Sequence, residues 1–324
     1  MIKENLSNEK KGINIAAIAK KLLKDELGLV IILVLLITIF QIQSNYFLVT
    51  KNLLNITRQI SINLIVAVGM TCVILIGEID LSVGSMAALV GVVSAYVINI
   101  TGSIFLGVTA GLLMGATMGL INGLLTVYGK IQSFIVTLAM MQITRGLALL
   151  ITSGKPISNL KEKFDFFGAG YVGVIPVSSL IAIGIFLIAF MFLNKTKHGI
   201  YIKSIGASRE AAKLSAISVN LYRVLTFVVS GLMAAVGGII VTSRLLSAQP
   251  TASDGLEMNV IAAVILGGSS LNGGIGTIVG TLLGAVIIGV INNGMNLMGV
   301  SAFFQQIIRG LIILIAVLIK SKEK

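Results

Sequence analysis

Charged residues are scarce in this sequence. They make up only 11% of its 324 residues, whereas 56% are hydrophobic, and the mean hydropathy is +1.04. A soluble domain carries about 25% charged residues, so a soluble fold of this size would lack the polar surface that its core requires. The composition therefore excludes a soluble enzyme, a coiled coil and a disordered chain, and it predicts a membrane protein.

Cysteine and histidine each occur once, and this scarcity excludes several kinds of chemistry. Cys72 has no partner for an internal disulfide, and His198 alone rules out a metal site built from several histidines. The chain also lacks the G-x-x-x-x-G-K-[ST] motif through which P-loop proteins bind ATP. We therefore expect no catalytic residue, no metal site and no bound cofactor, and we expect any ATP to be hydrolysed by another polypeptide.

Long apolar stretches are abundant, and they determine the expected fold. A helix needs about 20 apolar residues to cross the hydrocarbon core of a bilayer. We expect an all-α integral membrane protein with about ten spans, at residues 27–41, 60–77, 83–100, 104–127, 134–152, 174–193, 224–245, 258–271, 275–295 and 303–320. Because the stretch at 258–271 is short and broken by glycine, we expect a half-helix or a re-entrant segment there.

Acidic residues are half as frequent as basic ones, and the excess of 24 over 12 gives a net charge of +12. The basic residues cluster in the N-terminal tail (1–26), in the segment 194–223 and at the C-terminus, which is typical of cytoplasmic segments. We therefore expect no nucleic-acid partner. We expect a cytoplasmic tail (1–26) and one polytopic domain (27–324), with both termini in the cytoplasm.

Glycine recurs at every fourth position in two places, which places it on one stripe of a helix. Such stripes let neighbouring helices approach closely, and we interpret both series as packing surfaces rather than as part of a substrate path. The first series consists of Gly107, Gly111, Gly115, Gly119 and Gly123, and the second of Gly276, Gly280 and Gly284.

Two glycine-containing stretches are also similar to each other in sequence. The sequence VILIGEIDLSVGS (73–85) is similar to VILGGSSLNGGIG (264–276) if one gap is allowed. An internal repeat, as in transporters with broken helices near the binding site, is one interpretation. Coincidence in an apolar, glycine-rich sequence is the other.

The first of these stretches carries two acidic residues, Glu78 and Asp80, between apolar segments. Ionisable groups at membrane depth are costly and usually functional. One interpretation is an interfacial turn in which Asp80 or Ser82 caps the next helix; the other is a broken helix that faces a translocation path. Our candidates for a substrate path are Asp80, Ser82, Asn122, Phe134, Thr137, Asn292 and Asn293.

The segment 199–223 is longer than a simple connector requires. Ser208 is a favourable N-cap for the helix-forming sequence REAAKLSA, and Glu210 lies in the first turn, where the helix dipole favours an anion. The segment is either a short cytoplasmic helix that fits a groove of a partner or a plain loop. We expect His198 beside it to be solvated, and Arg145 and Arg309 to be paired or to extend towards the interface.

Several stretches resemble the permease subunits of bacterial sugar ABC importers, which are multi-pass proteins of the bacterial cytoplasmic membrane. The resemblance covers most of the chain from about residue 45 onward and is carried by residues 67–89 (AVGMTCVILIGEIDLSVGSMAAL), 133–157, 205–223 (IGASREAAKLSAISVNLYR), 246–285 and 291–310. It departs from the family at Glu78 and Ala216, where the family often has glycine.

The resemblance implies a type II importer-like permease without catalytic activity. Its partners would be a cytoplasmic ATP-binding subunit, an extracytoplasmic sugar-binding protein that meets the 248–250 turn, a second permease copy and membrane lipid. It implies that the ATPase contacts a coupling helix within 194–223, through Ser208, Arg209, Glu210, Ala211, Ala212, Lys213 and Ser215.

By this resemblance the chain would move ribose or a related monosaccharide by alternating access, and xylose, arabinose, galactose and autoinducer-2 remain alternatives. The residues also leave an ion-coupled secondary transporter open, with Glu78 and Asp80 as proton-coupling candidates. An intramembrane enzyme and a channel fit the sequence less well.

Overall fold

A computed structural model describes residues 26–321, which are almost entirely helical. Of the predicted tail (1–26), only Glu26 lies within the described residues. The helices are α1 (Glu26–Gln43), α2 (Thr50–Leu75), α3 (Val83–Thr101), α4 (Ile104–Val127), α5 (Ser133–Thr152), α6 (Val177–Lys195), α7 (Lys197–Ala207), α8 (Arg209–Leu214), α9 (Val219–Leu245), α10 (Leu256–Leu266), α11 (Ile278–Leu297) and α12 (Ala302–Ser321). A 3-10 helix (Glu162–Phe167) and a two-stranded hairpin, β1 (Tyr171–Val172) and β2 (Ile175–Pro176), connect α5 to α6.

The all-α membrane fold is confirmed, but the number of ten spans is not. Within residues 26–321, eight helices are long and apolar enough to cross a bilayer, namely α1 to α6, α9 and α11. Two further apolar helices are shorter: α10 and the segment Ala302–Ile315 of α12. The 11 residues of α10 rise only about 16 Å. As the glycines at 267 and 268 indicate, the chain then leaves the helix, and residues 267–277 connect α10 to α11.

Helix α9 lies at the centre of the molecule and packs against α2, α3 and α4. In the most hydrophobic 18-residue stretch of each helix, 78% of α2 and 72% of α3 is buried, but only 17% of α1. The inner helices therefore carry most of the core, and the outer helices present apolar side chains to the surroundings, as expected for a protein solvated by lipid.

All five glycines of the first series are buried on one stripe of α4. Gly107 and Gly111 lie against α3, and Gly119 and Gly123 lie against α9. At the crossing of α4 and α9, a methyl group added to Gly115 would lie 2.5 Å from the carbonyl oxygen of Gly231. The backbones therefore touch here, which only glycine permits.

The second glycine series differs from its prediction. Gly280 and Gly284 lie on α11 and pack against the backbone of α10. Gly276 precedes the N-cap of α11, Thr277, and so lies outside the helix. The three residues therefore do not form one helical stripe, because Thr277 accepts the Gly280 N–H and starts the helix only after Gly276.

The two stretches of similar sequence form the same backbone structure. At the end of α2, the Gly77 N–H donates to the Ile74 carbonyl and the Glu78 N–H to the Val73 carbonyl. At the end of α10, Gly268 and Ser269 donate to the carbonyls of residues 265 and 264 in the same way. Gly77 (φ 75°) and Gly268 (φ 96°) both adopt the left-handed conformation of a Schellman motif. The same motif also ends α5, α8, α9 and α11, so it does not distinguish an internal repeat from coincidence.

We call residues 76–82 the first break and residues 267–277 the second break. The two breaks touch, since a methyl group on Gly273 would lie 2.8 Å from the Gly77 nitrogen, and the Gly274 N–H donates to the carbonyl of Leu75, the last residue of α2, at 2.8 Å. Helix α7 packs on the same contact, because a methyl group on Gly206 would overlap the Leu75 carbonyl oxygen. Both breaks and α7–α8 therefore lie at one end of the helix bundle, which we call the coupling face.

The opposite end of the bundle is closed by side chains that bind backbone carbonyls. Arg145 Nη1 donates to the carbonyls of Pro250 (2.6 Å) and Ala252 (3.0 Å), which places the predicted 248–250 turn here. Residues 157 and 248 form an isolated antiparallel bridge. Since α9 is 27 residues long, this face lies about 40 Å from α8.

Candidate functional site at the first break

Asp80 is completely buried at the first break. Its Oδ1 accepts hydrogen bonds from the Ser82 N–H (3.0 Å) and the Ser82 hydroxyl (2.5 Å), and its Oδ2 accepts from the Ser230 hydroxyl (2.8 Å). A buried polar group is costly unless hydrogen-bonded, and these three donors supply partners to both oxygens of the Asp80 side chain. The first break is therefore a buried connection between α2 and α3.

Ser82 and Asn122 extend this cluster to α4. Ser82 stands at the N-cap of α3, but its hydroxyl caps no helix N–H and instead accepts from Asn122 Nδ2 at 2.9 Å. Among the described residues, Asn122 Oδ1 and Thr126 Oγ1 are buried without a hydrogen-bond partner. They lie one turn apart on α4. This helix therefore carries a polar strip that leads away from Asp80 and consists of two buried oxygen atoms without hydrogen-bond partners within residues 26–321.

The first turn of α5 holds the residue between the two acids. Ile79 donates its N–H to Ser133 Oγ (3.3 Å), and its carbonyl accepts from Thr137 Oγ1 (3.3 Å). The predicted candidate Thr137 is therefore part of the same site. Phe134, which is 50% exposed, lies beside it on α5.

Asn292 and Asn293 are not part of this cluster. The side-chain amides of Asn293 and Asn52 exchange two hydrogen bonds of 2.9 Å, which join α11 to the start of α2. Because α2 reaches the first break only 25 residues later, this pair lies near the opposite face. It has the geometry expected of a hydrogen bond that holds two helices together.

Glu78 forms the ion pairs that join the first break to α8 and α9. Its Oε1 accepts from Arg209 Nη2 (2.7 Å) and from Arg223 Nη2 (2.6 Å) and Nε (3.1 Å). The side chain of Glu78 is only 6% exposed. Sequence reasoning missed this cluster and also Ser230. In the sequence, the signals for these ion pairs were an acidic residue between apolar segments and a distant basic segment. They did not identify the partners of Glu78, which lie 131 and 145 residues away.

A cavity of about 520 Å³ opens beside this ion cluster. Its walls are the first break, the connection between α4 and α5, and the starts of α8 and α9. They include Glu78, Thr126, Phe134, Arg209 and Arg223. Thr126 connects this cavity to the polar strip that starts at Asp80.

Helix α8 begins as the N-cap signal indicates, with the Ser208 hydroxyl accepting from the Ala211 N–H at 3.2 Å. Most of the residues named for ATPase contact are exposed: Ser208, Arg209, Glu210, Ala211, Lys213 and Ser215. Ala212 is the exception. It is 3% exposed and packs in the hydrophobic core, because a helix on a surface directs one side chain per turn inward. A direct contact through Ala212 is therefore excluded in this conformation.

Two residues near α8, Ala216 and His198, are held in a defined conformation or set of contacts rather than in a simple loop. Ala216, where the resembling family often has glycine, has φ 59°, the left-handed conformation that glycine favours. His198 is not a solvated loop residue. Its Nδ1 lies 2.6 Å from the Tyr222 hydroxyl and its ring stacks on Phe192, so it joins α6, α7 and α9.

Comparisons with known proteins place this geometry in context. Residues 52–317 match a family described as "Branched-chain amino acid transport system / permease component". The ribose import permease protein RbsC of Bacillus subtilis is 46% identical over 322 residues, 99% of this chain and 98% of the relative. RbsC of Escherichia coli K12 is 42% identical over 94% of this chain and 96% of its own length. The L-arabinose transport system permease protein AraH of Escherichia coli K12 is 40% identical, covering 91% and 90%. No solved structure matches the chain.

Proposed function

The chain belongs to the permease-component family that it matches over residues 52–317, and from this premise we propose that it is the membrane subunit of an ATP-driven importer of ribose or a related monosaccharide. The observation that carries the proposal is the 46% identity to a ribose import permease over almost the whole of both chains. The arabinose permease at 40% identity keeps other pentoses within the substrate class.

The partners follow from the two ends of the bundle. A cytoplasmic ATP-binding subunit, which carries the ATP and Mg²⁺, docks on the exposed residues of α8. An extracytoplasmic sugar-binding protein docks at the opposite face, near the 248–250 turn that Arg145 holds. Both termini then lie in the cytoplasm of a bacterium. Residues 27–324 act as one domain in the lipid of its cytoplasmic membrane, paired with a second copy.

The substrate path passes the first break. A monosaccharide is neutral and rich in hydroxyl groups, so it is matched by uncharged donors and acceptors rather than by free charges. Asn122 and Thr126 offer such atoms between Asp80 and the cavity. Phe134 supplies an apolar wall for the sugar ring. Alternating access requires that the cavity open towards the coupling face in one state and close in the other.

Uptake of labelled ribose into vesicles tests the proposal. The vesicles contain this chain, its ATPase and its binding protein, and each component is omitted in turn. Uptake that requires all three and ATP is the expected result, and xylose, arabinose and galactose run in parallel to define the substrate. Uptake by this chain alone that collapses with the ion gradient would instead establish a secondary transporter.

A further inference from the structure

We propose that Glu78 transmits movement of α8 to the Asp80 cluster, as the positioning residue that couples the ATPase to the sugar path. The proposal rests on the proposed function and concerns how the two sites communicate. Glu78 lies two residues before Asp80, so their Cα atoms are at most about 7 Å apart. Its carboxylate binds α8 through Arg209 and α9 through Arg223.

Three successive residues of the first break are held by different helices. Glu78 binds α8 and α9, Ile79 binds α5, and Asp80 binds α9 through Ser230. A displacement of Glu78 therefore changes the position of Ile79 and Asp80 relative to the helices that hold them. Packed interfaces of this kind change between discrete arrangements rather than deform gradually.

The two arginines are not equivalent. Arg223 is 14% exposed and donates two hydrogen bonds to Glu78, whereas Arg209 is 45% exposed and donates one. Arg223 stands in the first turns of a long central helix, and Arg209 opens a six-residue surface helix. Arg223 is thus the fixed anchor of Glu78, and Arg209 is the contact that a partner moving α8 makes or breaks.

The connection between α7 and α8 allows such a movement. Helix α7 is fixed, because Gly206 packs directly on the backbone of Leu75 and Gly274 with no space for a side chain. Ser208, between the two helices, has an extended backbone. Because Ser208 separates α8 from α7, a partner that displaces α8 also moves the buried contact of Ala212, while α7 stays in contact with both breaks.

Glu78, Arg209 and Arg223 also line the cavity beside Asp80. Release of Arg209 from Glu78 removes one wall of this cavity at the coupling face. The same event therefore moves the Asp80 cluster and changes access to the cavity, which is what coupled transport requires.

The Arg209→Gln variant tests the inference in vesicles that contain the complete transporter. ATP hydrolysis and sugar uptake are measured on the same sample. We expect hydrolysis to stay within about twofold of wild type while uptake falls about tenfold, so that fewer sugars enter per ATP. Lys197→Gln is the matched control, since it removes a charge from the exposed start of α7, outside the residues named for ATPase contact and without contacting Glu78, and it should retain the wild-type ratio. Arg209→Lys, which keeps the charge, should restore part of the uptake.

A double variant distinguishes a direct contact from two separate effects. If Glu78 and Arg209 act through one contact, Glu78→Gln combined with Arg209→Gln should lower uptake no further than the more severe of the single variants. Additive losses would overturn the inference, as would an unchanged uptake in Arg209→Gln. A proportional loss of hydrolysis and uptake would show that Arg209 only docks the ATPase. Uptake by the wild-type transporter that does not need ATP would overturn the proposed function itself.

Discussion

The two breaks begin with the same backbone motif but are stabilised by different interactions. The first break carries Glu78 and Asp80, and side chains from α4, α5, α8 and α9 are bonded to it directly or through Ser82. The second break contains no acidic residue, and five of its eleven residues are glycines, at 267, 268, 273, 274 and 276. It packs through backbone atoms against α7, α11 and the first break.

This difference separates a structural role from a functional one. Both chain interruptions lie at the coupling face, where their backbones are in contact. The first break has buried acidic residues, a polar strip and most of the contacts with the adjoining cavity, to which the second break contributes Leu271. We infer that the second break serves as a rigid support and that the first responds to the partners. The two should therefore be sensitive to different substitutions: added volume at the second and lost polar groups at the first.

The largest effect is expected from Gly280→Leu, on α11 where it packs against the second break. A side chain at this position would overlap the carbonyl oxygen of Gly267, and backbone cannot move aside as a flexible side chain does. We expect the protein to be lost from the membrane fraction, since overpacking against backbone exceeds the usual cost of about 1–3 kcal/mol. The yield of purified protein measures this.

Gly146→Leu is the matched control, because a side chain there meets nothing within 4 Å. It should be produced at the wild-type level. Equal yields of the two variants would show that the second break is not rigidly packed.

A smaller effect is expected from Asp80→Ala at the first break. The substitution leaves the three buried donors of Ser82 and Ser230 without their acceptor. This should lower the free energy of unfolding by about 3 kcal/mol and the thermal midpoint by about 6–12 °C. Cys72 is the single cysteine and is 5% exposed, so its reaction with a thiol dye reports unfolding.

Ser270→Ala at the second break is the comparison. Within residues 26–321, its hydroxyl accepts one hydrogen bond, from the Asn272 N–H at 3.3 Å. Its loss should change the free energy of unfolding by less than about 0.5 kcal/mol. Similar shifts for both variants would contradict the distinction between the two breaks.

The sequence predicts the helices well where apolar residues are continuous and less well elsewhere. The span expected at 104–127 is α4, with the same bounds. Helix α2 begins at Thr50, ten residues before the predicted start. Its first turns contain polar residues such as Asn52 and Arg58, which the hydropathy pattern excludes. They are helical because tertiary contacts bind them, including Arg58 with the Ala169 carbonyl and Asn52 with Asn293.

Part of the site was also predictable, from polar residues that stand out in an apolar sequence. Asp80, Ser82, Asn122 and Thr137 combine polarity with an apolar context, and the structure brings them together. Ser230 does not stand out in sequence, because a serine in a helix usually bonds its own backbone. The ion pairs of Glu78 depend on which loop meets which helix end, and this is a property of the tertiary fold alone.

The central claim is that the path past the first break opens and closes at the coupling face. Phe134→Cys tests it most directly, in a Cys72→Ala background and in the complete transporter. The introduced thiol lies on the cavity wall. We predict that a non-hydrolysable ATP analogue slows its reaction with a water-soluble thiol reagent about tenfold, whereas Thr101→Cys, exposed at the far end of α3, keeps its rate. Equal rates for the Phe134→Cys thiol with and without the nucleotide would contradict the account.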